Sequence, residues 1–384
     1  MPVHRVLATS REVSCRTAGQ RALANSLHRA AGAGIHTVML IIADPADSNR
    51  EANPYNWLLY RSLTALGATV REVHPYRPAW GADVFHVHWP EEFLHRPSNL
   101  RALATGLRLG LKLASYRLLR VPIVWTVHNL QPHEQRRPWL TRWFYRQFPR
   151  CCAGLIFLSE ATREAALAAH PALGSIPCRV IAHGHYREVY PAPPSREVAR
   201  ARLAIPQHEN VLLYFGMIRP YKNVPALIRC FIEAALPNTR LIVAGRVLDN
   251  EPLRQQVIEA AAGAAQVTLK LEYLPDDDLA ALLAAANLVV LPYREIANSG
   301  SAILALSLNR PVLAPARGSL LQLRAQVKDD WLRLYSGELT PQTLAVAVAA
   351  APPATTAPNL AALDWPHIAR ETLDFFKSLQ AHAA

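Results

Sequence analysis

Arg219 and Lys222 lie in "LYFGMIRPYKN" (Leu213–Asn223), where an apolar run stops at Phe215 and Gly216 allows the backbone to turn. A planar guanidinium and a compact ammonium at a strand end can together neutralise a diphosphate. The plainer alternative is a pair of solvated loop cations. A second stretch, "YREIANSGSAILALSLNRPVLAP" (Tyr293–Pro315), opens an apolar helical run with Asn298, Ser299, Gly300 and Ser301. Free N–H groups at a helix start favour an anion, and two hydroxyls add donors; the plainer alternative is an N-cap and a turn. Both stretches fall at the same edge of one predicted sheet, and that coincidence favours the anion. In the N-terminal half, "DVFHVHWPEEF" and "WTVHNLQPHE" each carry a histidine at a strand end and a carboxylate soon after it. The spacing of His86 and His88 is metal-like but further ligands are missing. The run Asp276–Asp278, after Pro275 and before an apolar stretch, reads as the first turn of a helix whose carboxylates complement the dipole. No metal site is expected.

These residues need elements to hold them. From His36 onward, short apolar runs rich in Val and Ile alternate with helical patterns, as a parallel sheet covered on both faces requires. "HTVMLIIA", "ATVREV", "DVFHVHW", "PIVWTVH", "GLIFLS" and "CRVIAHG" read as strands, with helices near 54–66, 97–119, 138–148 and 160–169. The alternation pauses in the Pro-rich stretch near residue 192 and restarts with "NVLLYFG", "TRLIVAG", "VTLKLEYL", "NLVVLP" and "RPVLAP". The expected fold class is α/β: two doubly wound Rossmann-like domains facing across a cleft, where the C-terminal strand ends gather and ligands bind. The expected boundaries are an extension over 1–33, a first domain over 34–192, a second over 193–355, and a linker with a closing helix over 356–384. The five cysteines show no CxxC pair and no ligand spacing, which fits a reducing compartment. No apolar run reaches the length of a membrane span, and residues 1–33 lack the apolar core of a secretory signal.

Taken together, the C-terminal motifs resemble the nucleotide-sugar half of GT-B glycosyltransferases of the group 1 (family 4) clan. "FGMIRPYKN" resembles the clan's F-x-G-R-x-x-x-K-G with Lys222 on register; Met217 replaces the usual Arg and Arg219 stands in for it. "LIVAG" with Gly245, "LEYLP" with Tyr273 and Leu274, and "NRPVLAP" follow the same scheme, and "LDWPHIARETLDFF" resembles the helix that crosses back to the first domain. One departure stands out. Aligned through "NRPVLAP", the clan's two glutamates fall on Ile296 and Leu304, with Glu295 one residue off. The first-domain motifs and "NPYNWLLYRSL" resemble the xanthan-type exopolysaccharide β-mannosyltransferases (family 94). The resemblance implies transfer of a hexose from a nucleoside diphosphate sugar, GDP-mannose as the best donor, to a lipid-linked or polysaccharide acceptor, with inversion, no cofactor and no metal. It places Gly216, Arg219, Lys222, Gly245, Tyr273, Leu274, Glu295, Asn298, Ser299, Gly300 and Ser301 around the donor. His88, Trp89, Asn53 and Tyr55 face the acceptor. An inverting reaction needs a base for the attacking hydroxyl; Glu91, Glu92 and Glu134 are the candidates and Glu91, directly after His-Trp-Pro, is favoured. His128 is assigned to the donor sugar or its phosphate, and His86 to the core. The alternatives are a retaining transferase, a nucleotide-sugar epimerase and a non-catalytic nucleotide-binding partner subunit.

Charge adds a partner. Residues 1–200 hold 25 Lys and Arg against 13 acidic residues, whereas residues 201–384 hold 16 of each. Within residues 101–150 ten cations face a single acid, Glu134, and are interleaved with Leu, Trp, Phe and Tyr. Basic amphipathic helices of this kind settle on anionic membrane surfaces, and no compact nucleic-acid motif is present. The expected location is the cytoplasm, peripheral on the inner face of the plasma membrane.

Overall fold

Buried Val, Ile, Leu and Phe build two six-stranded sheets, and every strand pairing within each of them is parallel. A computed structural model describes residues 38–381 except 52, 75–79, 97, 129–136, 249, 297, 328–329, 351 and 354. The extension proposed over residues 1–33 lies outside the described residues.

The first half runs β1 (Leu40–Asp44), α1 (Tyr55–Ala65), β2 (Thr69–Glu72), β3 (Val84–Val87), a 3₁₀ turn (Pro90–His95), α2 (Asn99–Leu118), β4 (Ile123–Val127), α3 (Pro138–Gln147), β5 (Gly154–Phe157), α4 (Glu160–Ala169) and β6 (Cys178–Val180). The second runs α5 (Arg196–Arg202), β7 (Asn210–Phe215), α6 (Val224–Ala234), β8 (Thr239–Ala244), α7 (Glu251–Ala261), β9 (Val267–Lys270), α8 (Asp276–Ala285), β10 (Leu288–Val290), α9 (Gly300–Ser307), β11 (Val312–Pro315), α10 (Ser319–Val327), β12 (Leu332–Tyr335), α11 (Pro341–Ala349) and α12 (Trp365–Ala381).

The strand orders are β2-β1-β3-β4-β5-β6 and β12-β11-β10-β7-β8-β9. The order reverses between β1 and β3 in one sheet and between β7 and β10 in the other. A crevice opens at each reversal, because successive crossovers leave to opposite faces there. Helix starts are set by side chains: Ser98, Ser159, Ser195, Asn250, Ser299 and Thr340 each accept a backbone N–H three residues on. The sequence extends β9 to Leu274, but pairing with β8 stops at Lys270, and Glu272 and Tyr273 are exposed.

α12 packs on α1 and on the first sheet. Leu379 and Phe375 lie over Gly154, and Trp365 fills the space above Gly184, where a Cβ would come within 2.3 Å of the indole. The Trp365 Nε1 donates to the His185 carbonyl at 2.7 Å, and Gln380 donates to Asp83. Trp365 is fully buried, so the closing helix is anchored at both ends. Both sheets belong to one compact unit.

Candidate active site

At the β7/β10 reversal, two glycines bring the loops together. Gly216 has φ +102° and Gly245 φ +149°, and a Cβ on Gly245 would lie 2.2 Å from the Gly216 carbonyl oxygen. Only glycine fits there. The turn Pro220–Lys222 then folds Lys222 inward until it is nine-tenths buried. Its Nζ lies 3.6 Å, and the Ser301 Oγ 3.2 Å, from the point where a Gly216 side chain would start. The ammonium also stands 5.3 Å from the centre of the Tyr293 ring. Burial, with the Arg219 charge adding to it, lowers the Lys222 pKa to about 8. Lys222 has no carboxylate partner among the described residues. A desolvated cation beside an open glycine backbone is a site for an anion.

The four small residues before α9 have separate tasks. Ser299 Oγ caps the helix by accepting the Ala302 N–H at 3.1 Å. Ser301 faces Gly216 and Lys222, and Ser299 and Ser301 both act on the buried Tyr293 hydroxyl, partly offsetting the rise in its pKa that burial causes. Gly300 lies beside the Tyr186 hydroxyl, which a Cβ there would meet at 3.4 Å. Asn298 reaches the other sheet: its Nδ2 donates to the His128 carbonyl at 3.3 Å and its Oδ1 accepts from Thr162 at 3.4 Å. Leu304, where the resemblance places a glutamate, is buried on α9, and Glu295 is exposed on the preceding loop. Tyr273 is also exposed, and Leu274 is half-buried beside it.

Across the crevice stands a chain of histidines. The Tyr60 hydroxyl is shared by His86 Nδ1 at 2.9 Å and His88 Nε2 at 2.7 Å. His86 Nε2 meets Thr126 Oγ1 at 2.8 Å, and His88 Nδ1 meets His128 Nε2 at 3.0 Å. Trp89 stacks on His128 with centroids 4.4 Å apart, and Tyr55 sets its edge against His88, His128 and Trp365. Tyr55 also packs against His183. Asn53 accepts the Tyr55 N–H at the start of α1. Burial lowers the pKa of His86 to about 3 and of His183 to about 4, and drives those of His88 and His128 well below the ordinary value. These rings are neutral at pH 7. They can hydrogen-bond sugar hydroxyls but supply no counter-charge to a phosphate, so His128 is suited to the sugar rather than the phosphate.

The neutrality has a sign. A histidine held neutral in the fold but titrating near 6.5 when unfolded contributes fully above about pH 6.5. That contribution is lost as pH falls below 6.5, at up to ~1.4 kcal/mol per unit per ring. Glu91, whose pKa burial raises to about 7, acts oppositely between 4.5 and 7, but the four rings outweigh it. Thermal midpoints should therefore fall steadily from pH 7 to pH 5 in constant-ionic-strength buffers. A midpoint that stays level or rises over this range would contradict the buried neutral network.

The adjacent glutamates part company. Both begin a 3₁₀ turn, and neighbours on so tight a turn point about 120° apart. Glu91 is buried, its Oε2 has no hydrogen-bond partner, and its charge acts on Tyr145, whose hydroxyl is also unpartnered. Glu92 lines a pocket of about 220 Å³ with Asp44, Trp89, Arg96, Arg108 and Lys112, and accepts from Arg96 at 3.0 Å. Glu134 lies outside the described residues. The sequence reading missed Asp44, which ends β1 at the strand reversal and pairs with Lys112 at 3.0 Å; an acidic residue closing the apolar run "LIIAD" was the available signal. Tyr60 and His183 carry no signal of their own: Tyr60 reads as an ordinary helix residue and His183 as part of the strand "CRVIAHG", which in the structure ends at Val180. Among the described residues, no group of three or more His, Cys, Asp or Glu could hold a metal ion.

Comparison with known proteins gives the family and the fold. The family model described as glycosyl transferases group 1 matches residues 195–330, the half that carries the Lys222 pocket. A GDP-mannose:glycolipid 4-beta-D-mannosyltransferase of Xanthomonas campestris pv. campestris is 34% identical over 344 residues, spanning 88% of this chain and 91% of that protein. Among solved structures, a sucrose-phosphate synthase from Thermosynechococcus elongatus superposes with a TM-score of 0.63 at 17% identity, covering 90% of this chain and all of the other. The trehalose-6-phosphate synthase OtsA gives 0.62 at 11% identity, covering 88% and 99%.

Proposed function

Because the chain belongs to the group 1 GT-B glycosyltransferases, in the family of the Xanthomonas mannosyltransferase, we propose that it transfers mannose from GDP-mannose to a hydroxyl of a glycolipid acceptor. The observation that carries the reading is the convergence of Gly216, Lys222 and Ser301 at the β7/β10 reversal, opposite a neutral histidine wall. In this scheme Lys222, Arg219 and the start of α9 take the charge that develops on the departing diphosphate. From the first sheet His128 holds the donor sugar, and Trp89, stacked on it, faces the acceptor. Asn298, bonded to the His128 backbone, keeps the two walls in register. The reaction inverts the anomeric centre, and the acceptor proton goes to a carboxylate of the Trp89 pocket; Glu92 has the access that buried Glu91 lacks.

The reading extends to the setting: exopolysaccharide synthesis at the inner face of the plasma membrane. No helix of the described residues is long and apolar enough to cross a membrane, so attachment would be peripheral. Leu103, Leu107, Leu111 and Leu118 of α2 and Trp139 and Trp143 of α3 are exposed among arginines, as an anionic surface would favour.

A donor panel tests the assignment. With a glycolipid extract as acceptor, nucleotide release from GDP-mannose should exceed release from UDP- and ADP-sugars at least ten-fold. Equal or greater release from a UDP-sugar would overturn the donor. Since Lys222, Arg219 and helix N–H groups do the work of a metal here, excess EDTA should leave more than half of the activity. Complete loss, restored by Mg²⁺ or Mn²⁺, would contradict metal independence.

A further inference from the structure

An apolar groove of about 910 Å³ runs between α2 and α3 and has none of the Lys222 pocket residues in its lining. Leu103, Leu107, Gly110 and Leu118 line it from α2, and Leu140 and Trp143 from α3. Leu107 is 63% exposed and Trp143 56%. Such side chains in a continuous apolar trough call for an occupant. Glycines give the groove its depth. Phe93 packs on Gly106 at the floor, while a Cβ on Gly110 would meet nothing within 4 Å.

Two further observations say what the occupant is. Both helices are basic: α2 carries Arg101, Arg108, Lys112 and Arg117, α3 carries Arg142 and Arg146, and neither contains an acidic residue; Arg117 lines the groove, while Arg108 and Lys112, the latter paired with Asp44 of β1, line the pocket beside it. The groove also adjoins the site. Phe93 and Leu109 line both the groove and the pocket of Trp89, Glu92 and Lys112. From that pocket the contacts continue through Trp89, stacked on His128, to Asn298 at the start of α9. Apolar trough, cations and aromatic platform thus lie side by side in that order. Their chemistry matches an amphiphile built as chain, anionic link and sugar.

We infer that the α2–α3 groove is the subsite for the lipid chain of the acceptor, with the phosphate link on the α2 cations and the sugar against Trp89. This rests on the proposed glycolipid acceptor but makes a separate claim. The chain leaves the bilayer and enters the protein, and acceptor choice depends on chain length.

The probe is a brominated hexadecyl phosphate titrated below its critical micelle concentration, with tryptophan fluorescence as the readout. Bromine in the groove should quench saturably, and the quenched component should be missing in Trp143→Phe. Gly110→Phe should fill the trough. It replaces a helix-interior glycine with a better helix former at an open position, so its melting point should hold or rise while probe affinity falls at least ten-fold. Leu107→Asp serves as a second variant of the same surface. In transfer assays, the preference of the wild type for a long-chain over a hexyl-chain acceptor should collapse in Gly110→Phe. Non-saturable quenching, or affinity unchanged in both variants, would overturn the inference. Quenching seen only with phosphatidylglycerol vesicles, and equally in wild type and Gly110→Phe, would assign the groove to bulk membrane instead and also overturn it. Saturable, groove-dependent binding with no mannosyl transfer to any glycolipid would sink the proposed function and overturn the acceptor subsite with it, leaving only a lipid-binding groove.

Discussion

Lys222→Ala should reduce kcat by 10²- to 10³-fold while the protein stays folded. The lysine is nine-tenths buried and sits beside Gly216 and Ser301, where leaving-group charge would accumulate. Removing one preorganised donor from a dry site costs about 3–4 kcal/mol in the transition state. Its removal also relieves a desolvated charge, so the melting point should not drop by more than a few degrees. Lys222→Arg should recover only part of the rate, because a fork-shaped guanidinium does not fit the space of a point charge. The lysine's own titration gives a second handle. With a pKa of about 8 when free, it is cationic below that value and loses its charge above it. Donor affinity should therefore weaken as pH rises past 8. A variant within three-fold of wild type, measured as nucleotide release under saturating donor, would refute the diphosphate assignment.

Gly245→Ala should be the most damaging single-methyl change in the donor half. Two effects add. At φ +149° an L-residue is strained, and its Cβ would overlap the Gly216 carbonyl at 2.2 Å, where backbone cannot yield cheaply. Losses above about 4 kcal/mol come from a short list of such mechanisms, and here a fall in melting temperature of roughly ten degrees or more follows at 2–4 °C per kcal/mol. Any protein that still folds must move Gly216, and with it the Lys222 pocket, so GDP affinity should fall with stability. Gly337→Ala is the matched control. Its φ is +74°, and nothing lies within 4 Å of the added carbon, so only the modest αL strain applies. Calorimetric melts of the pair decide the matter; similar midpoints would show that the close approach of the two loops is not a constraint.

How far the residues announced this arrangement varied with the kind of information needed. The parallel sheets were legible because their strands are buried on both faces, so "VLLYF" and "LIVA" stand out as unbroken apolar runs. Lys222 was legible for a related reason. A glycine closing such a run, followed by cations, marks the C-terminal edge of a sheet, where a doubly wound fold places its ligand. The end of β9 was not legible: "LEYL" has strand-forming residues, and only the absence of a pairing partner releases it. Nor could the sequence say which of Glu91 and Glu92 turns inward, since a one-residue rotation on a 3₁₀ turn decides it. Tyr60, His183 and the Asn298 bond to His128 depend on how distant segments meet, which no local pattern encodes. The polarity before α9 was visible from the start, but its division among capping, charge and contact with the opposite sheet emerged only from the assembled fold.

The most direct test of the central claim follows mannose itself. Purified protein is incubated with GDP-[¹⁴C]mannose and a glycolipid extract, and label is counted in the lipid phase. A β-mannosyl lipid should appear only with acceptor present in the wild type, and at least a hundred-fold less of it in Lys222→Ala. Label that appears only as free mannose, or that enters lipid equally well in both proteins, would contradict mannosyl transfer at the Lys222 site.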